Sequence, residues 1–293
     1  MLARSLTLKN GIKIPRLGQG TWFMGENISK RSIEIETLRR GVELEMTLID
    51  SAEMYGDGAS ERLVGEAIQG LEREKLFLVS KVYPHNAGKG KLQNSLENTL
   101  KRMKTDYLDM YLLHWRGSIP LEETVECMEE QVKTGKIRSW GVSNLDIDDM
   151  EELWSVAKGS HCMVDQVLYH IGSRGVEFSL IPWLNQHKTP LMAYCPLAQG
   201  GSLKRDIFNN QIVQNIAKIH SATPAQIVLN FILQENNVFA IPKASSIKHV
   251  EDNAKALELE LTNEELKSLD VIFPSPKCKT YLDIVYRKGR KII

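Results

Sequence analysis

The chain has 293 residues, and its 37 lysines and arginines balance 37 aspartates and glutamates, so the formal net charge is zero. Hydrophobic residues make up 42% and charged residues 25% of the chain, which is typical of a soluble globular protein. A neutral chain lacks the basic surface of most proteins that bind nucleic acids or membrane surfaces, so we expect neither kind of partner.

The cysteine spacing suits neither a zinc motif nor a disulfide scaffold. The cysteines lie 35, 33 and 83 residues apart, at Cys127, Cys162, Cys195 and Cys278. No stretch approaches the ~18 apolar residues of a membrane span, and the first residues lack the apolar core of a signal peptide. We therefore expect no metal site, and a reduced, soluble protein in the cytoplasm.

The first predicted element is a β-hairpin. Apolar and polar residues alternate in residues 5–8, and a second short strand follows at residues 12–14. Asn10-Gly11 lies between them and tolerates the positive φ angles of a type I′ turn. The sequence therefore predicts a hairpin with a type I′ turn before the main fold begins.

Eight short apolar runs then alternate with segments of helical periodicity. The runs predicted as strands are residues 17–20, 47–50, 76–81, 108–114, 137–142, 164–168, 191–194 and 238–241. The segments predicted as helices are residues 32–44, 61–71, 92–103, 121–134, 146–157, 178–187, 207–220 and 224–235. Two capping boxes, Thr223 with Gln226 and Thr262 with Glu265, predict the starts of two helices.

This alternation predicts a single (β/α)₈ barrel with an N-terminal hairpin and a short C-terminal tail. The predicted strands that end near residues 50, 81, 114 and 142 are 31, 33 and 28 residues apart, a normal length for one βα unit. A doubly wound open sheet is the alternative, but neither of its glycine-rich phosphate motifs is present. We found no linker or repeat, so we expect one domain over residues 1–293, with the tail after about residue 270 crossing one face of the barrel.

Polar residues occupy the C-terminal ends of the predicted strands, where barrels of this kind carry their active sites. They are Asp50, Lys81, His114, Ser143, Asn144, Gln166, Tyr194 and Lys243. Asp50 ends an apolar run, so its carboxylate needs a buried partner, and Lys81 is the natural one. This pair could be a structural ion pair at the rim of the barrel.

The alternative interpretation is that the pair controls a neighbouring acid. Tyr55 lies in a glycine-containing loop five residues after Asp50. A lysine ammonium close to a phenol favours the phenolate and lowers the pKa of the phenol. A neutral His114 could donate a hydrogen bond to a carbonyl oxygen beside the Tyr55 hydroxyl. We therefore predict general acid chemistry at this site.

These residues lie in motifs that resemble the aldo-keto reductase superfamily, in that family's order from about residue 5 to residue 270. The matching stretches are residues 48–56, 60–65, 79–81, 111–115, 135–144, 166, 193–197 and 241–243. The resemblance implies a catalytic tetrad of Asp50, Tyr55, Lys81 and His114. It makes Tyr55 the general acid that protonates a carbonyl oxygen while a reduced nicotinamide delivers hydride to carbon.

The resemblance also implies a binding site for a nicotinamide cofactor. Ser143, Asn144 and Gln166 are expected to hydrogen-bond the carboxamide, and Tyr194 to stack on the nicotinamide ring. Leu197 follows in the same motif and is assigned to the cofactor site. Residues 200–203 resemble the loop that covers the pyrophosphate.

The segment after residue 242 is expected to select NADPH, with NADH as a possible second cofactor. Lys243, Ser245 and Ser246 suit the 2′-phosphate, because they offer a charge and hydroxyl donors at a predicted helix start. His249 stands where the family pattern has an arginine, and it cannot form a bidentate pair. Asn253 matches the position that contacts adenine.

Two tryptophans, Trp22 and Trp115, match positions that line an apolar substrate pocket in the family, although either could instead be packing at the rim. Tyr83 and His85 could also contact substrate. The tail with Tyr281–Asp283 is short, which favours a small substrate. At the subfamily level, the sequence resembles bacterial reductases of methylglyoxal and other small aldehydes.

The sequence therefore predicts an NADPH-dependent reductase of aldehydes and ketones, acting as a monomer. One alternative is a cofactor sensor on the same fold with little turnover. A second is an aldolase in which Lys81 forms a Schiff base, which Asp50 disfavours by stabilising the ammonium. A metal-dependent hydrolase is less consistent with the sequence, because one histidine and one aspartate are too few metal ligands.

Overall fold

The N-terminal hairpin forms as predicted but with a different turn. The computed structural model describes residues 2–287 and 290–291, and strands β1 (Ser5–Thr7) and β2 (Lys13–Pro15) pair antiparallel. The Gly11 amide donates to the Leu8 carbonyl, and Gly11 has φ +85°, whereas Asn10 is not in the left-handed region. A type I′ turn needs positive φ at both residues, so the prediction is wrong, and the loop is a tight turn followed by a glycine bulge.

The (β/α)₈ barrel is confirmed. Eight strands pair in parallel and in chain order. They are β3 (Gln19–Gly20), β4 (Leu48–Asp50), β5 (Phe77–Val82), β6 (Met110–Leu113), β7 (Trp140–Ser143), β8 (Asp165–Leu168), β9 (Leu191–Tyr194) and β10 (Val238–Ala240). A parallel bridge between Leu17 and Ala240 joins the first strand to the last, so the sheet closes on itself.

Helices surround this sheet, and the longer ones present an apolar face to it. They are α1 (Arg31–Glu43), α2 (Ala59–Ala67), α3 (Leu92–Met103), α4 (Leu121–Lys133), α5 (Ile147–Ser155), α6 (Leu180–Gln186), α7 (Gly201–Asn209), α8 (Gln211–Ile219), α9 (Pro224–Ile232), α10 (Ile247–Ala254) and α11 (Asn263–Ile272). Within the described residues, no helix is long and apolar enough to cross a membrane.

Alternate residues of each strand belong to two different cores. In β5, Phe77 and Val79 pack inside the barrel with Leu8 and Ile14 of the hairpin. Leu78 and Val82, on the opposite face of the strand, pack outward in the second core. This alternation follows from the period of two in a β-strand. The hairpin therefore fills the N-terminal end of the barrel and leaves the C-terminal end for the site.

The helix predicted at residues 207–220 is two helices. Asn210 has extended backbone angles (φ −60°, ψ 131°), and its side chain accepts a hydrogen bond from the Ile212 amide. This cap ends α7 and starts α8. The helix predicted at residues 178–187 is also shorter, since α6 covers only Leu180–Gln186.

Both predicted capping boxes are present. Thr223 and Gln226 exchange side-chain and backbone hydrogen bonds at the start of α9, and Thr262 and Glu265 do the same at α11. A third box, at Asp146, starts α5 and was not predicted.

The tail after α11 returns to the barrel. The Ser173 hydroxyl donates to the Asp283 carboxylate, and Val285 is buried. A short antiparallel pair, β11 (Tyr286–Arg287) and β12 (Arg290–Lys291), follows Val285 and was not expected from the sequence.

Candidate active site

The interior faces of the strands carry the predicted catalytic residues to one end of the barrel. Leu48 faces inward in β4, so Asp50, two residues later, also faces inward. By the same alternation, Lys81 faces inward two residues after Val79, and His114 faces inward two residues after Leu112. All three residues are at most 1% exposed. The structure thus brings together residues that are up to 64 positions apart in the chain.

Lys81 is held by three acceptors. Its ammonium donates to Asp50 Oδ2 at 2.7 Å, to the Ser51 carbonyl at 2.8 Å and to the Tyr55 hydroxyl at 3.1 Å. A lysine ammonium has three protons, so every donor is used. Asp50 in turn accepts at Oδ1 from the Gln166 amide at 2.8 Å. The pair is therefore a fully hydrogen-bonded network that includes the phenol.

Burial acts on both partners of this pair. It raises the pKa of Asp50 and lowers the pKa of Lys81, and the attraction between the two charges opposes both shifts. Burial therefore outweighs Asp50 in its effect on the pKa of Lys81, so Asp50 alone does not keep Lys81 an ammonium. The geometry of Lys81 disfavours a Schiff base more strongly. Lys81 is 0% exposed, all three of its protons are donated, and it lines neither of the cavities described below.

Tyr55 keeps its proton in this structure. Burial raises the pKa of Tyr55 well above its ordinary value, and the neighbouring Asp50 and Cys195 raise it further. The expectation that Lys81 lowers the pKa of Tyr55 toward neutrality is therefore wrong, because desolvation of the phenol outweighs the attraction of the ammonium. A protonated phenol hydrogen-bonded to an ammonium is suited to give up its proton only when a stronger base is placed against it.

His114 is a neutral imidazole. Burial lowers the pKa of His114 well below its ordinary value, and the nearby charge of Lys81 lowers it further. Its ring lies edge-on to the Tyr55 ring, with centroids 5.7 Å apart. Nδ1 is buried and has no hydrogen-bond partner among the described residues. An imidazole left unpaired beside a phenol is a site for an external polar atom.

Two cavities meet at Tyr55. The smaller has a volume of about 20 Å³, room for about one water-sized group. Its lining includes Trp22, Tyr55, His114, Asn144, Gln166, Tyr194 and Val285. The larger has a volume of about 220 Å³ and runs from Asp50 and Tyr55 past residues 195–199 to Lys243. Trp22, Tyr55 and Tyr194 line both cavities.

The walls of the larger cavity suit part of an anionic nucleotide. A Cβ at Gly20 would lie 2.6 Å from the Ile241 carbonyl, so glycine is needed where this wall comes together. Gly200 and Gly201 have open space above them, which permits close approach of a ligand to the backbone. Beyond Lys243, the Asn253 amide nitrogen is buried without a partner among the described residues. This nitrogen is available to donate a hydrogen bond to a ligand.

The three residues predicted to bind a carboxamide form one hydrogen-bonded group. Asn144 donates to the His114 carbonyl at 3.1 Å and to Ser143 Oγ at 2.9 Å, and its Oδ1 accepts from the Tyr194 hydroxyl at 2.9 Å. Ser143 donates to the Gln166 carbonyl. Asn144 has φ +59°, a left-handed conformation that asparagine tolerates better than most residues. The group is fixed in place, and its contact with a carboxamide stays a prediction.

The predicted phosphate segment lies at the other end. Lys243, Ser245 and His249 are exposed. Ser246 is the N-cap of α10, where its hydroxyl accepts a hydrogen bond from the His249 amide. Helix N-termini favour anions. Because most of these residues are exposed, the segment is solvated. The roles predicted for its residues stay predictions.

The two predicted substrate tryptophans lie differently. Trp22 lines both cavities, with its ring centroid 6.3 Å from that of Tyr55. Trp115 lines neither cavity. Its ring packs instead against those of His114 and Tyr83, with centroid distances of 4.8 Å and 5.7 Å. Leu197, assigned to the cofactor site, lines the larger cavity.

Several lining residues were missed by the sequence analysis. They are Phe23, Met54, Cys195, Lys204 and Val285. Lys204 lies three residues after Gly201 and could have been found from its helical spacing to Ile207. Val285 belongs to the tail, whose return to the barrel has no local sequence signal. In the described part of the chain, no cluster of three or more histidine, cysteine or acidic residues is arranged to hold a metal.

Comparison with known proteins identifies close relatives. A family model described as the aldo/keto reductase family matches residues 16–273. The methylglyoxal reductase YeaE of Escherichia coli (strain K12) is 52% identical over 285 residues, which cover 97% of this chain and 100% of that protein. A glyoxal reductase of Bacillus subtilis (strain 168) is 32% identical over 273 residues, which cover 92% of this chain and 93% of that protein.

Solved structures match equally well. A crystal structure of an aldo/keto reductase from Klebsiella pneumoniae in complex with NADP and acetate superimposes with a TM-score of 0.94 at 51% identity, covering 97% of this chain and 100% of that one. A second structure of an aldo-keto reductase from the same organism, in complex with NADPH, matches with the same TM-score, identity and coverage.

Proposed function

The chain belongs to the aldo/keto reductase family and is an NADPH-dependent oxidoreductase of carbonyl compounds. From this premise we propose that its substrates are methylglyoxal and similar small aldehydes, and that Tyr55 is the general acid. The relatives named above support this substrate class, since one is named a methylglyoxal reductase and another a glyoxal reductase.

One observation carries the assignment of Tyr55. Its hydroxyl lies 3.1 Å from the Lys81 ammonium, and Lys81 lies 2.7 Å from Asp50. A phenol that loses its proton leaves a phenolate, and here that phenolate forms against a fixed ammonium. The charge is stabilised in a site that excludes water, where such stabilisation is strongest.

The small cavity supports a carbonyl oxygen placed between Tyr55 and His114. It is lined by Tyr55 and His114, and it has room for about one such atom. A neutral His114 can donate one hydrogen bond to that oxygen, while Tyr55 donates the other and transfers its proton. A reduced nicotinamide bound in the larger cavity would supply the hydride for the carbon. Lys81 and Asp50 hold the phenol in place and do not touch the substrate.

The walls of the site favour a small substrate. Val285 of the tail is 2% exposed and lines the small cavity with Met54 and Trp22. These largely apolar side chains narrow the site beside Tyr55 and His114. Methylglyoxal has three carbons and two adjacent carbonyl groups, so it belongs to the smallest carbonyl substrates.

Substrate profiling tests the proposal. We expect the purified protein to oxidise NADPH with methylglyoxal at a kcat/KM at least about tenfold above that for a bulky aryl ketone such as acetophenone. Equal values for the two substrates would contradict the proposed substrate class. NADPH binding without oxidation by any member of a broad carbonyl panel would instead favour a cofactor sensor, for which no observation argues at present.

Three further properties are proposed from the sequence alone. We propose that the chain acts as one domain, as a monomer and in the cytoplasm. Light scattering after size-exclusion chromatography should give a mass near 33.2 kDa. A mass twice as large would contradict the monomer, and fractionation of the source cells tests the location.

A further inference from the structure

One carboxylate beside the catalytic phenol has no role in the proposed function. Glu53 lies two residues before Tyr55, is half-buried and lines neither of the two cavities. In the described part of the chain, no lysine, arginine or histidine lies within ion-pair distance of its carboxylate. A carboxylate that is partly removed from water and has no cation beside it depends on hydrogen-bond donors of the protein.

The donors to Glu53 come from the loop after β5 and from α3. The Tyr83 backbone amide donates to Glu53 Oε1 at 2.6 Å, and the side-chain amide of Asn86 donates to the same oxygen at 3.2 Å. The buried hydroxyl of Ser95 donates to Oε2 at 2.8 Å. The backbone amide of Glu53 donates to the Lys81 carbonyl at 3.3 Å. Glu53 therefore joins its own loop, after β4, to the loop after β5.

Aromatic contacts continue from Tyr83 to the catalytic rings. The Tyr83 ring lies edge-on to the Trp115 ring, with centroids 5.7 Å apart, and the Trp115 ring packs against that of His114 at 4.8 Å. The His114 ring in turn lies edge-on to the Tyr55 ring. Because Tyr55 follows Glu53 by two residues, these contacts form a closed circuit that begins and ends in the loop after β4.

We infer that Glu53 is a positioning residue that fixes the His114 imidazole relative to the Tyr55 hydroxyl, so that both can donate to one carbonyl oxygen. The inference rests on the proposed function, in which these two groups meet the same oxygen. Glu53 acts through Tyr83 and Trp115 and does not touch the substrate. The effect on rate is large, because a misplacement of about 1 Å between reacting groups can lower a rate about 10²-fold.

The loop after β5 also provides a matched control. Glu123, in α4, is another half-buried carboxylate, and it accepts a hydrogen bond from the Lys89 backbone amide at 2.8 Å. Lys89 lies in the same loop, six residues after Tyr83. Glu53 and Glu123 thus hold the two ends of one loop, and Glu53 holds the end that carries the aromatic contact to Trp115.

Steady-state kinetics test the inference. The kcat for methylglyoxal is expressed per NADPH-binding site, so that unfolded protein is not counted. We expect Glu53→Ala to lower this kcat about 10- to 100-fold and to leave the dissociation constant of NADPH nearly unchanged. The KM for methylglyoxal should change much less than kcat, because the two hydrogen bonds strengthen as negative charge develops on the oxygen. Glu53→Asp, whose carboxylate is one methylene shorter, takes the place of Glu53→Ala if that variant does not fold.

Two further variants separate positioning from charge and from the general order of the loop. Glu53→Gln should retain most of kcat, because its amide oxygen can accept from Tyr83 and its amide nitrogen can donate to Ser95. Glu123→Ala should leave kcat nearly unchanged. Equal losses of kcat in Glu53→Ala and Glu123→Ala would overturn the inference, since the loop as a whole would then be responsible.

A double variant tests the path through Tyr83. Tyr83→Leu removes the ring that joins Glu53 to Trp115, so it should also lower kcat. The variant with both Glu53→Ala and Tyr83→Leu should be no slower than the slower single variant, because both changes break the same path. Effects that multiply in the double variant would contradict the inference.

The NMR signals of the His114 ring protons report on its position without any turnover. Ring currents of Trp115 and Tyr55 displace these signals by amounts that depend on the distances between the rings, and the variant His114→Asn assigns them. Glu53→Ala should shift the His114 signals, whereas Glu123→Ala should not, and unchanged signals in Glu53→Ala would overturn the inference. If the unaltered protein reduces no carbonyl compound, the proposed function fails, and the NMR signals still decide whether Glu53 positions His114.

Discussion

The two ends of the large cavity are built in opposite ways. At the catalytic end, Lys81 is 0% exposed and all its protons are donated to protein acceptors. At the phosphate end, Lys243 and His249 are exposed, and no ion pair joins either to an acidic side chain of the described residues. The hydrogen bonds of Lys81 are complete without a ligand, whereas the side chains of the phosphate end are left to solvent or to a ligand.

This difference follows from the cost of burying charge. A buried ammonium is tolerated only when protein groups pair with it, so the catalytic network must be assembled during folding. An exposed ammonium is paired with water and can exchange that water for a phosphate. The comparison therefore predicts that mutations at the catalytic end change both stability and turnover, while mutations at the phosphate end change binding alone.

The largest effect is expected from Lys81→Met. Turnover should fall about 10²–10⁴-fold, because the Tyr55 phenolate loses its stabilising charge. The free energy of unfolding should fall by about 3–5 kcal/mol, because Asp50 remains buried without its partner. Urea denaturation and NADPH-linked kinetics measure the two effects on the same protein.

A double variant separates these two effects. Asp50→Asn in the Lys81→Met background removes the unpaired charge, so most of the lost stability should return while turnover stays low. Recovery of turnover along with stability would show that Lys81 acts only through folding. That result would contradict the prediction that Lys81 acts directly on turnover.

A second buried histidine predicts acid sensitivity. His170 is 2% exposed, and burial lowers the pKa of His170 from 6.5 to about 4. Between pH 6.5 and about pH 4, the unfolded chain binds a proton at His170 that the folded protein does not bind. The contribution of neutral His170 to the free energy of unfolding is therefore intact above pH 6.5 and is lost as the pH falls. At pH 5 the loss is about 2 kcal/mol.

His170→Asn should remove this part of the acid sensitivity. The Asn oxygen can accept the hydrogen bond that His170 Nδ1 now accepts from the Gly172 amide. Urea denaturation at pH 7 and pH 5 should show a smaller drop in the variant than in the unaltered protein. An equal drop in both would mean that the folded protein does not keep His170 neutral.

The smallest effects are expected at the phosphate end. Lys243→Met should weaken NADPH about tenfold and NADH by less than about twofold, because NADH has no 2′-phosphate. His249→Arg should strengthen NADPH by a few-fold, since arginine can form a bidentate pair with phosphate. Lys248→Met serves as a matched control on the same helix. Equal weakening of both nucleotides by Lys243→Met would place the 2′-phosphate elsewhere.

Much of the fold was predictable because its signals are local. Apolar runs at regular intervals indicated the eight strands, and the boxes at Thr223 and Thr262 indicated two helix starts. The break at Asn210 was missed because apolar residues continue with helical spacing on both sides of it. The turn at Gly11 was misjudged because Asn-Gly is compatible with more than one turn geometry.

The positions of the site residues were predictable where the alternation of side chains along a strand determines them. Asp50, Lys81 and His114 converge because each lies two residues after an inward-facing apolar residue. The protonation of Tyr55 was not predictable, because it depends on how far burial outweighs the nearby ammonium. Val285 and Lys204 were missed because a tail and a helix far along the chain bring them to the cavity.

The most direct test of the account is the loss of one hydroxyl group. Tyr55→Phe should lower turnover of methylglyoxal about 10²–10⁴-fold and leave the dissociation constant of NADPH nearly unchanged. Tyr107→Phe, before β6 at the opposite end of the barrel, is the matched control and should change neither. If Tyr55→Phe reduces methylglyoxal as fast as the control does, Tyr55 is not the proton donor and the central claim is wrong.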